Sequence, residues 1–133
     1  MKSVVTDTHA IVWYLFAPTR LSRPAETALD DAVDNGDPIF VASISLVELR
    51  YLVEKGKVPV PILAQLDAVL ELPNTPFRLV GLDLRIARAV QQIARADVPD
   101  MPDRIIAATA HALKLPLVSR DRSIRAAAIH TIW

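Results

Sequence analysis

Four acidic residues stand at points of the chain where a ligand site could form. Asp7 directly follows a short β-branched run, and Glu48 lies about one helical turn beyond a second apolar run. Asp103 opens a segment with helical spacing, which leads into a brief apolar run that Asp121 follows. In open parallel sheets, ligands bind beyond the carboxyl ends of the strands, near the point where strand order reverses. If the apolar runs are such strands, the four carboxylates meet at one edge of the sheet.

Four carboxylates at one edge would have to take up protons or bind cations. Two of them about 5 Å apart repel by roughly 3 kcal/mol at an effective dielectric constant of about 20. Oxygen ligands without cysteine or clustered histidine favour Mg²⁺ over Zn²⁺, and Mn²⁺ is expected to substitute for it. Mg²⁺ usually keeps several waters, and one of these can become the nucleophile in phosphodiester hydrolysis. The pattern therefore predicts metal-dependent cleavage of nucleic acid.

Each acid also has a purely structural interpretation. Ser45-Leu-Val-Glu48 matches a capping box, in which the Glu48 side chain would reach back to the Ser45 backbone N–H. Asp103 falls in a first helical turn, where the helix dipole favours a carboxylate. Capping explains any one acid taken alone, so the functional prediction depends on their convergence. The acids that could cap a following helix are Asp7, Asp100 and Asp121.

The elements that must position the acids alternate between strands and helices. Compact apolar runs predict buried strands at residues 3–6, 38–42, 77–82, 117–119 and 129–133. Helical spacing predicts helices at residues 10–16, 23–35, 46–53, 61–72, 83–96 and 122–128, together with the helix that Asp103 opens. This alternation is typical of a parallel sheet covered on both faces, so the predicted fold class is α/β.

Composition narrows the class of protein. With 133 residues, of which 52% are hydrophobic, the chain is expected to fold as one domain. Its formal net charge is zero, so any affinity for nucleic acid needs a local basic patch or a bound metal. It has no cysteine, which excludes disulfides and thiolate metal sites and fits a reducing cytoplasm. The longest apolar run, residues 10–17, is too short to span a bilayer, so we expect a soluble cytoplasmic protein.

Two other phosphate chemistries also place an acid after the first strand. A phosphoaspartyl phosphatase needs a second aspartate two residues after its nucleophile, whereas Thr8 and His9 follow Asp7. A phosphorylated receiver domain needs paired acids there and a lysine after a late strand, but this chain has no lysine beyond Lys114. Specific residues therefore exclude both classes.

The motifs around the acids resemble those of one family. The segments at residues 6–10 with Trp13, 45–49, 103–110 and 119–121 occur in the order and at the spacing of PIN-domain ribonucleases. More narrowly, they resemble the VapC toxins of type II toxin–antitoxin pairs. The most specific segment is Asp-Arg-Ile-Ile-Ala-Ala-Thr-Ala at residues 103–110, and the likeness spans almost the whole chain.

The resemblance implies a fold, an activity and partners. The fold would be a three-layer α/β/α sandwich around a parallel sheet of about five strands, forming a single PIN-like domain over residues 1–133. The activity would be that of an Mg²⁺- or Mn²⁺-dependent ribonuclease acting on single-stranded or structured RNA. The partners would be a cognate VapB-like antitoxin that blocks the site and a second copy in a homodimer, which can join a higher-order toxin–antitoxin complex. The alternative is a catalytically inactive PIN-like module that binds RNA or protein.

The resemblance also assigns roles by position. Ser119 would orient the last acid, and Asp100 could assist as a more distant acid, although helix capping is its expected role. Arginines beside the acids could hold RNA phosphates or balance local carboxylates at the surface. The metal-binding and catalytic acids would be Asp7, Glu48, Asp103 and Asp121. The arginines that could contact RNA are Arg104, Arg120 and Arg122.

Other residues carry weaker predictions. His9 and His111 have no partner histidine at ligand spacing, so zinc binding is not expected. At least two of the aromatic residues Trp13, Tyr14 and Phe16 are expected to pack in the core rather than stack on bases. The helices between residues 45 and 72 hold much of the apolar helical surface, and we predict the antitoxin groove there.

Overall fold

Five short strands form one parallel sheet in the computed structural model, which describes residues 1–127 and 129–133. The sheet order is β3-β2-β1-β4-β5, so the chain first builds one side of β1 and then crosses to the other. The strand order therefore reverses between β1 and β4. The strands are β1 (Val4–Thr6), β2 (Ile39–Ala42), β3 (Phe77–Val80), β4 (Leu117–Val118) and β5 (Thr131–Ile132).

Seven α-helices occur among the described residues, and a short 3₁₀ turn follows the first and the fifth of these helices. Over the described ranges, none of them is both long and apolar enough to cross a bilayer. The 3₁₀ turns are Pro18–Arg20 and Val90–Gln92. The helices are α1 (Thr8–Phe16), α2 (Arg23–Asp34), α3 (Ser43–Glu54), α4 (Val60–Glu71), α5 (Leu84–Ala89), α6 (Met101–Leu113) and α7 (Arg122–Ala126).

The strands separate two hydrophobic cores because their side chains alternate between the faces of the sheet. Val4 and Val118 belong to a core that includes buried residues of α1, α2 and α4. Their neighbours Val5 and Leu117 belong to a second core with buried residues of α5, α6 and α7. Helices therefore cover both faces of the sheet, and the predicted three-layer α/β/α sandwich is confirmed.

The predicted helix at residues 83–96 is too long. Helix α5 ends at Ala89, and the 3₁₀ turn that follows it ends at Gln92, after which Ile93 has an extended conformation. Both Ile93 and Val98 are buried in the second core, yet five positions apart on one helix they would point about 140° apart. A tight turn, in which the Val98 N–H donates to the Ala94 carbonyl at 3.0 Å, lets both side chains reach the same core.

The other predicted elements occur with shifted ends. Strands β2 to β5 lie inside the predicted runs at residues 38–42, 77–82, 117–119 and 129–133, but each is one to three residues shorter. The flanking residues lead into turns and helix caps, which apolar composition does not distinguish from strand. The predicted helix at residues 122–128 ends at Ala126, and Ala128 lies outside the described residues.

Candidate metal centre

A cleft of about 780 Å³ lies next to the point where the strand order reverses. Its acidic side chains come from the carboxyl ends of β1 and β4, from the second turn of α3 and from the start of α6. The acids that line it are Asp7, Glu48, Asp100, Asp103 and Asp121. The structure therefore places all four predicted ligands, and Asp100 with them, in the lining of one cleft.

Asp7 is the most buried of these acids, with 8% of its surface exposed. Its backbone N–H donates to the carbonyl of Val118 at 3.1 Å, which ties the end of β1 to the end of β4. Its Oδ1 caps α1 by accepting from the Ala10 N–H at 2.8 Å. Burial raises the pKa of Asp7 above the ordinary value of 3.8, although hydrogen bonds from the Ser119 hydroxyl and the Ala10 N–H lower it in part.

Ser119 links the first acid to the last. Its side chain is fully buried, and its Oγ accepts from the backbone N–H of Asp121 at 3.1 Å. The same hydroxyl lies close enough to the carboxylate of Asp7 to help lower the pKa of that acid. The sequence predicted an orienting role toward Asp121 alone, whereas the structure places Ser119 between Asp121 and Asp7.

The tightest part of the cluster joins two helices. Glu48 on α3, Asp103 on α6 and Asp100 before α6 each offer a carboxylate oxygen, and these oxygens lie within 4.8 Å of one another. Burial, followed by the charges of Asp121, Glu48 and Asp100, raises the pKa of Asp103 to about 8. Asp121 adjoins this set, since its carboxylate lies close enough to Asp103 to contribute to that shift. Without a cation, the cluster therefore holds a proton at neutral pH.

Asp121 has the opposite electrostatic environment. Partial burial raises its pKa, but hydrogen bonds from the Ser123 hydroxyl and from the backbone N–H groups of Ile124 and Ser123 outweigh burial, and the pKa is lowered overall. All three donors meet Oδ1, with the backbone donors of Ser123 and Ile124 at 2.8 and 3.1 Å. This arrangement keeps Asp121 charged while its neighbour Asp103 carries the proton.

Helix capping and clustering turn out not to be alternatives for these acids. Asp7 and Asp121 cap α1 and α7 through Oδ1, and Asp100 caps α6 by accepting from the Asp103 N–H at 3.3 Å. A carboxylate has two oxygens, so a cap that uses one of them leaves the other available to the cleft. Asp100, predicted mainly as a cap, is therefore both a cap and a member of the tightest acid set.

The capping box that the sequence left open at Ser45 and Glu48 is absent. Helix α3 begins two residues earlier, at Ser43, so Ser45 lies inside the first turn rather than at its N-cap. Its hydroxyl is buried and has no hydrogen-bond partner among the described residues. Glu48 consequently does not reach back to cap the helix, and its carboxylate faces the cleft with Asp100 and Asp103.

The donors in the cleft fit a hard divalent cation. Carboxylate oxygens are the ligands that Mg²⁺ and Mn²⁺ prefer. At roughly 2.1 Å per bond, two oxygens bound to one Mg²⁺ are about 3 Å apart as neighbours and about 4.2 Å apart on opposite sides. The three carboxylate oxygens, which all lie within 4.8 Å of one another, are therefore close to the separations that one ion requires. Thr8 supplies a second indication, because this residue lines the cleft and its buried hydroxyl has no hydrogen-bond partner in the described part of the chain. An ion with its waters would satisfy such a group.

The predicted RNA-contacting arginines do not all reach the cleft. Arg120 is exposed and lines it, with its guanidinium 5.8 Å from the centroid of the Trp13 ring. Arg104 instead donates from Nε to the carbonyl of Ile93 at 2.8 Å, at the end of the turn after α5. Arg122 is exposed and lies outside the cleft lining.

Two cations of the cleft were missed by the sequence reasoning. Arg20, at the end of the first 3₁₀ turn, lies 4.7 Å from the Trp13 ring centroid, and Lys57 follows α3. Both residues are exposed and line the same cleft as the acids. Nothing in their local sequence marks them, since neither neighbours an acid of the cluster along the chain.

The histidines and aromatic residues are placed largely as expected. His111 is exposed outside the cleft lining, whereas His9 lines the cleft with its ring 5.5 Å from that of Trp13. Trp13 is 8% exposed and packs in the first core, while it also forms part of the cleft wall. The remaining two also pack against the first core: Tyr14, which donates to Asp30 at 2.7 Å, and Phe16, which reaches the cleft wall.

The parallel sheet, with an acidic cleft at the point where the strand order reverses, defines the class of this protein. The chain belongs to the PIN-domain family, whose pattern it matches over residues 4–129, and the predicted family resemblance is confirmed. It is 32% identical over 127 residues to Ribonuclease VapC22 of Mycobacterium tuberculosis (strain ATCC 25618 / H37Rv), an alignment covering 94% of this chain and 92% of that protein.

Solved structures share the fold. A crystal structure of VapBC2 from Rickettsia felis, bound to a promoter DNA fragment, matches with a TM-score of 0.71 at 18% identity, covering 97% of this chain and 96% of that one. FitAcB from Neisseria gonorrhoeae matches with a TM-score of 0.61 at 24% identity, covering 96% and 95% of the two chains. At these identities the matches establish the three-layer architecture.

Proposed function

We propose that this protein is the toxin of a type II toxin–antitoxin pair, a ribonuclease that hydrolyses RNA phosphodiester bonds with Mg²⁺ or Mn²⁺. The observation that carries the proposal is the convergence of Asp7, Glu48, Asp103 and Asp121 in one cleft from four separate places in the chain. Membership of the PIN-domain family and the 32% identity to a ribonuclease named VapC22 support the same activity. The proposed domain is single and spans residues 1–133.

The catalytic and metal-binding roles follow from position in the cleft. Asp7, Glu48, Asp103 and Asp121 would hold the cation, with Asp100 as a further oxygen donor. When bound, a divalent cation would neutralise charge that develops on the phosphate and lower the pKa of an attacking water. Ser119 would be a positioning residue, because its hydroxyl accepts from the backbone N–H of Asp121 and lies close to the carboxylate of Asp7.

The proton on Asp103 fits this role. A carboxyl group with a pKa of about 8 is neutral in the cation-free cleft at pH 7, which relieves the repulsion among its neighbours. The same group must lose its proton to serve as an anionic ligand, so cation binding would release a proton. The bound cation would thereby replace the proton on Asp103 in neutralising the negative charge of the cleft.

The proposed partners are a VapB-like antitoxin, a second copy of the chain in a homodimer, and RNA. The VapBC and FitAB assemblies with the same fold support the antitoxin partner. Helices α3 and α4 remain our proposed antitoxin groove, since Val47, Tyr51 and Val60 expose 48%, 59% and 69% of their surfaces. Assembly into a larger toxin–antitoxin complex and a cytoplasmic location belong to the same proposal. Of the three arginines predicted to contact RNA, Arg120 is the proposed contact inside the cleft, and Arg104 and Arg122 lie outside the cleft lining.

A cleavage assay tests the activity. The purified protein, freed of any antitoxin, should degrade total RNA in Mg²⁺ or Mn²⁺ and not in EDTA. Asp7→Asn and Asp103→Asn should abolish cleavage while the circular dichroism spectrum stays that of the wild type. Asp97→Asn is the matched control, because Asp97 is exposed and lies outside the cleft. Undiminished cleavage in EDTA would contradict the metal mechanism, and RNA binding without cleavage would favour the inactive binding module.

Growth of cells provides a second, independent test. Expression of the wild-type chain alone should arrest growth of a bacterial host, and the Asp7→Asn variant should not. Coexpression with its antitoxin should restore growth. If both forms were equally harmless at equal protein levels, the toxin assignment would fail even if the purified protein cleaved RNA.

A further inference from the structure

Two arginine side chains lie against the same indole beside the acidic cluster. The guanidinium carbons of Arg20 and Arg120 are 4.7 and 5.8 Å from the centroid of the Trp13 ring. Both arginines are exposed and line the cleft that holds the acids. They come from distant parts of the chain, one from the turn after α1 and the other from the residue before Asp121.

The indole is a fixed support for both cations. Trp13 is 8% exposed and packs in the first core, with its ring 5.5 Å from that of His9 and 5.9 Å from that of Trp133. A guanidinium near the face of a tryptophan is attracted by the ring quadrupole, and this contact leaves its N–H groups free to donate. The arginines are therefore held in place without using their hydrogen-bonding capacity.

Neither arginine has an anionic partner among the residues that the structure describes. In residues 1–127 and 129–133, neither guanidinium lies within ion-pairing distance of a carboxylate, and the ion pair that does form is Arg50–Asp67. Two exposed cations that line one cleft attract anions, and an anion bound at either guanidinium would offset its charge. Phosphate suits this position, because two oxygens of one phosphate match the planar fork of an arginine.

We propose that Arg20 and Arg120 form a phosphate clamp that holds the backbone of single-stranded RNA beside the acids. This inference rests on the proposed function, since it places the phosphate on the same strand whose phosphodiester the acidic cluster would act on. An RNA strand fits better than an acidic protein segment, because one strand can occupy the clamp and the acid site together. Lys57, a third cation of the cleft, would extend the positive wall.

The clamp makes a prediction about salt dependence. Each phosphate contact on a single strand contributes about 0.7 to the slope of log affinity against log salt concentration. Arg20→Ala and Arg120→Ala should each reduce that slope by about 0.7 and weaken binding about tenfold, as expected when a hydrogen bond between charged groups is lost. Arg20→Lys should restore part of the affinity, because lysine keeps the charge but not the planar fork.

Fluorescence anisotropy with a short, labelled, random-sequence oligoribonucleotide measures these slopes. EDTA in the buffer prevents cleavage, and the repulsion from the acids is common to all variants. Arg23→Ala and Arg125→Ala are matched controls, because both arginines are exposed, lie near Arg20 and Arg120 in the chain, and stand outside the cleft. Each control removes the same unit of charge as its partner, so net charge cannot explain a difference.

The inference fails if each cleft variant and its control have equal slopes. It also fails if RNA binding is unchanged while binding of the antitoxin is lost, since the pair would then contact a protein partner. Mn²⁺-dependent cleavage by the wild type is measured separately. Cleavage with equal slopes would overturn the clamp and leave the proposed function standing, whereas unequal slopes without cleavage would support the clamp and overturn the nuclease.

Discussion

The proton on Asp103 predicts that cation binding by this protein depends on pH. Burial and the charges of Asp121, Glu48 and Asp100 raise the pKa of Asp103 to about 8, from an ordinary value of 3.8. A cation that needs the carboxylate competes with that proton below pH 8 and not above it. Apparent affinity for Mn²⁺ should therefore rise as pH increases and level off above pH 8.

The size of the effect follows from the titration of one group. With a pKa of about 8, competition weakens apparent affinity about 2-fold at pH 8, about 11-fold at pH 7 and about 100-fold at pH 6. Between pH 6 and pH 8 the affinity should therefore increase about 50-fold. The raised pKa of Asp7 acts in the same direction, so a second proton would make the increase steeper.

Isothermal titration calorimetry with Mn²⁺ checks this prediction in two ways. The affinity gives the pH profile, and titrations in buffers of different ionisation enthalpy give the number of protons released. Asp103→Asn should bind Mn²⁺ more weakly and with a flatter profile, whereas Asp97→Asn should follow the wild type. An affinity that is constant from pH 6 to pH 8, with no proton release, would refute the assignment of Asp103 as a protonated ligand.

Three further predictions concern the same cleft. The pKa of Asp103 in the folded protein lies above its unfolded value, so protonation of Asp103 stabilises the cation-free fold. This stabilisation is complete below about pH 4 and is lost as pH rises through about 8. Thermal unfolding in EDTA should therefore show Tm falling between pH 5 and pH 9, and a Tm that rises would contradict the prediction. Thr8→Val should weaken Mn²⁺ binding several-fold, and Thr8→Ser should keep the affinity of the wild type. Ser45→Ala is the control: it removes another buried, unpaired hydroxyl, but one outside the cleft lining, and it should leave Mn²⁺ binding unchanged. Equal affinities for Thr8→Val and the wild type would show that Thr8 does not contribute to cation binding. Ser119→Ala should lower stability by about 1 kcal/mol and also weaken Mn²⁺ binding, since it removes contacts to both Asp7 and Asp121; a loss of stability without a change in binding would limit Ser119 to a structural role.

Local patterns in the sequence were sufficient for the layers of the fold. Alternating apolar runs and helical spacing predicted the α/β class because strand and helix periodicities depend on neighbours a few residues apart. Helix caps were readable for the same reason, and Asp7, Asp100 and Asp121 all accept hydrogen bonds from the first turns of their helices. The helix beyond Ala89 was overestimated, because its end is set by packing of Ile93 and Val98 rather than by its own residues.

For the acids, too, the sequence showed the local roles, whereas the packing of the helices decided the rest. The sequence left Glu48 open between a capping box and a ligand, since both use the same four-residue spacing. The start of α3 at Ser43 decided the question by moving Ser45 into the helix. Asp100 was underestimated, because capping is visible in sequence whereas its approach to Glu48 depends on how α3 and α6 pack together.

The sequence by itself determined which residues have the chemistry for a divalent cation site and that each follows or opens an element. Only the tertiary structure decided that they meet, because lateral strand order is not encoded in any local pattern. Placing β4 beside β1 brings Asp7 to Ser119 across more than a hundred residues, and the same packing puts Arg20 and Arg120 on one indole. Those distances are set by the burial of two cores on a single sheet, which is a property of the whole chain.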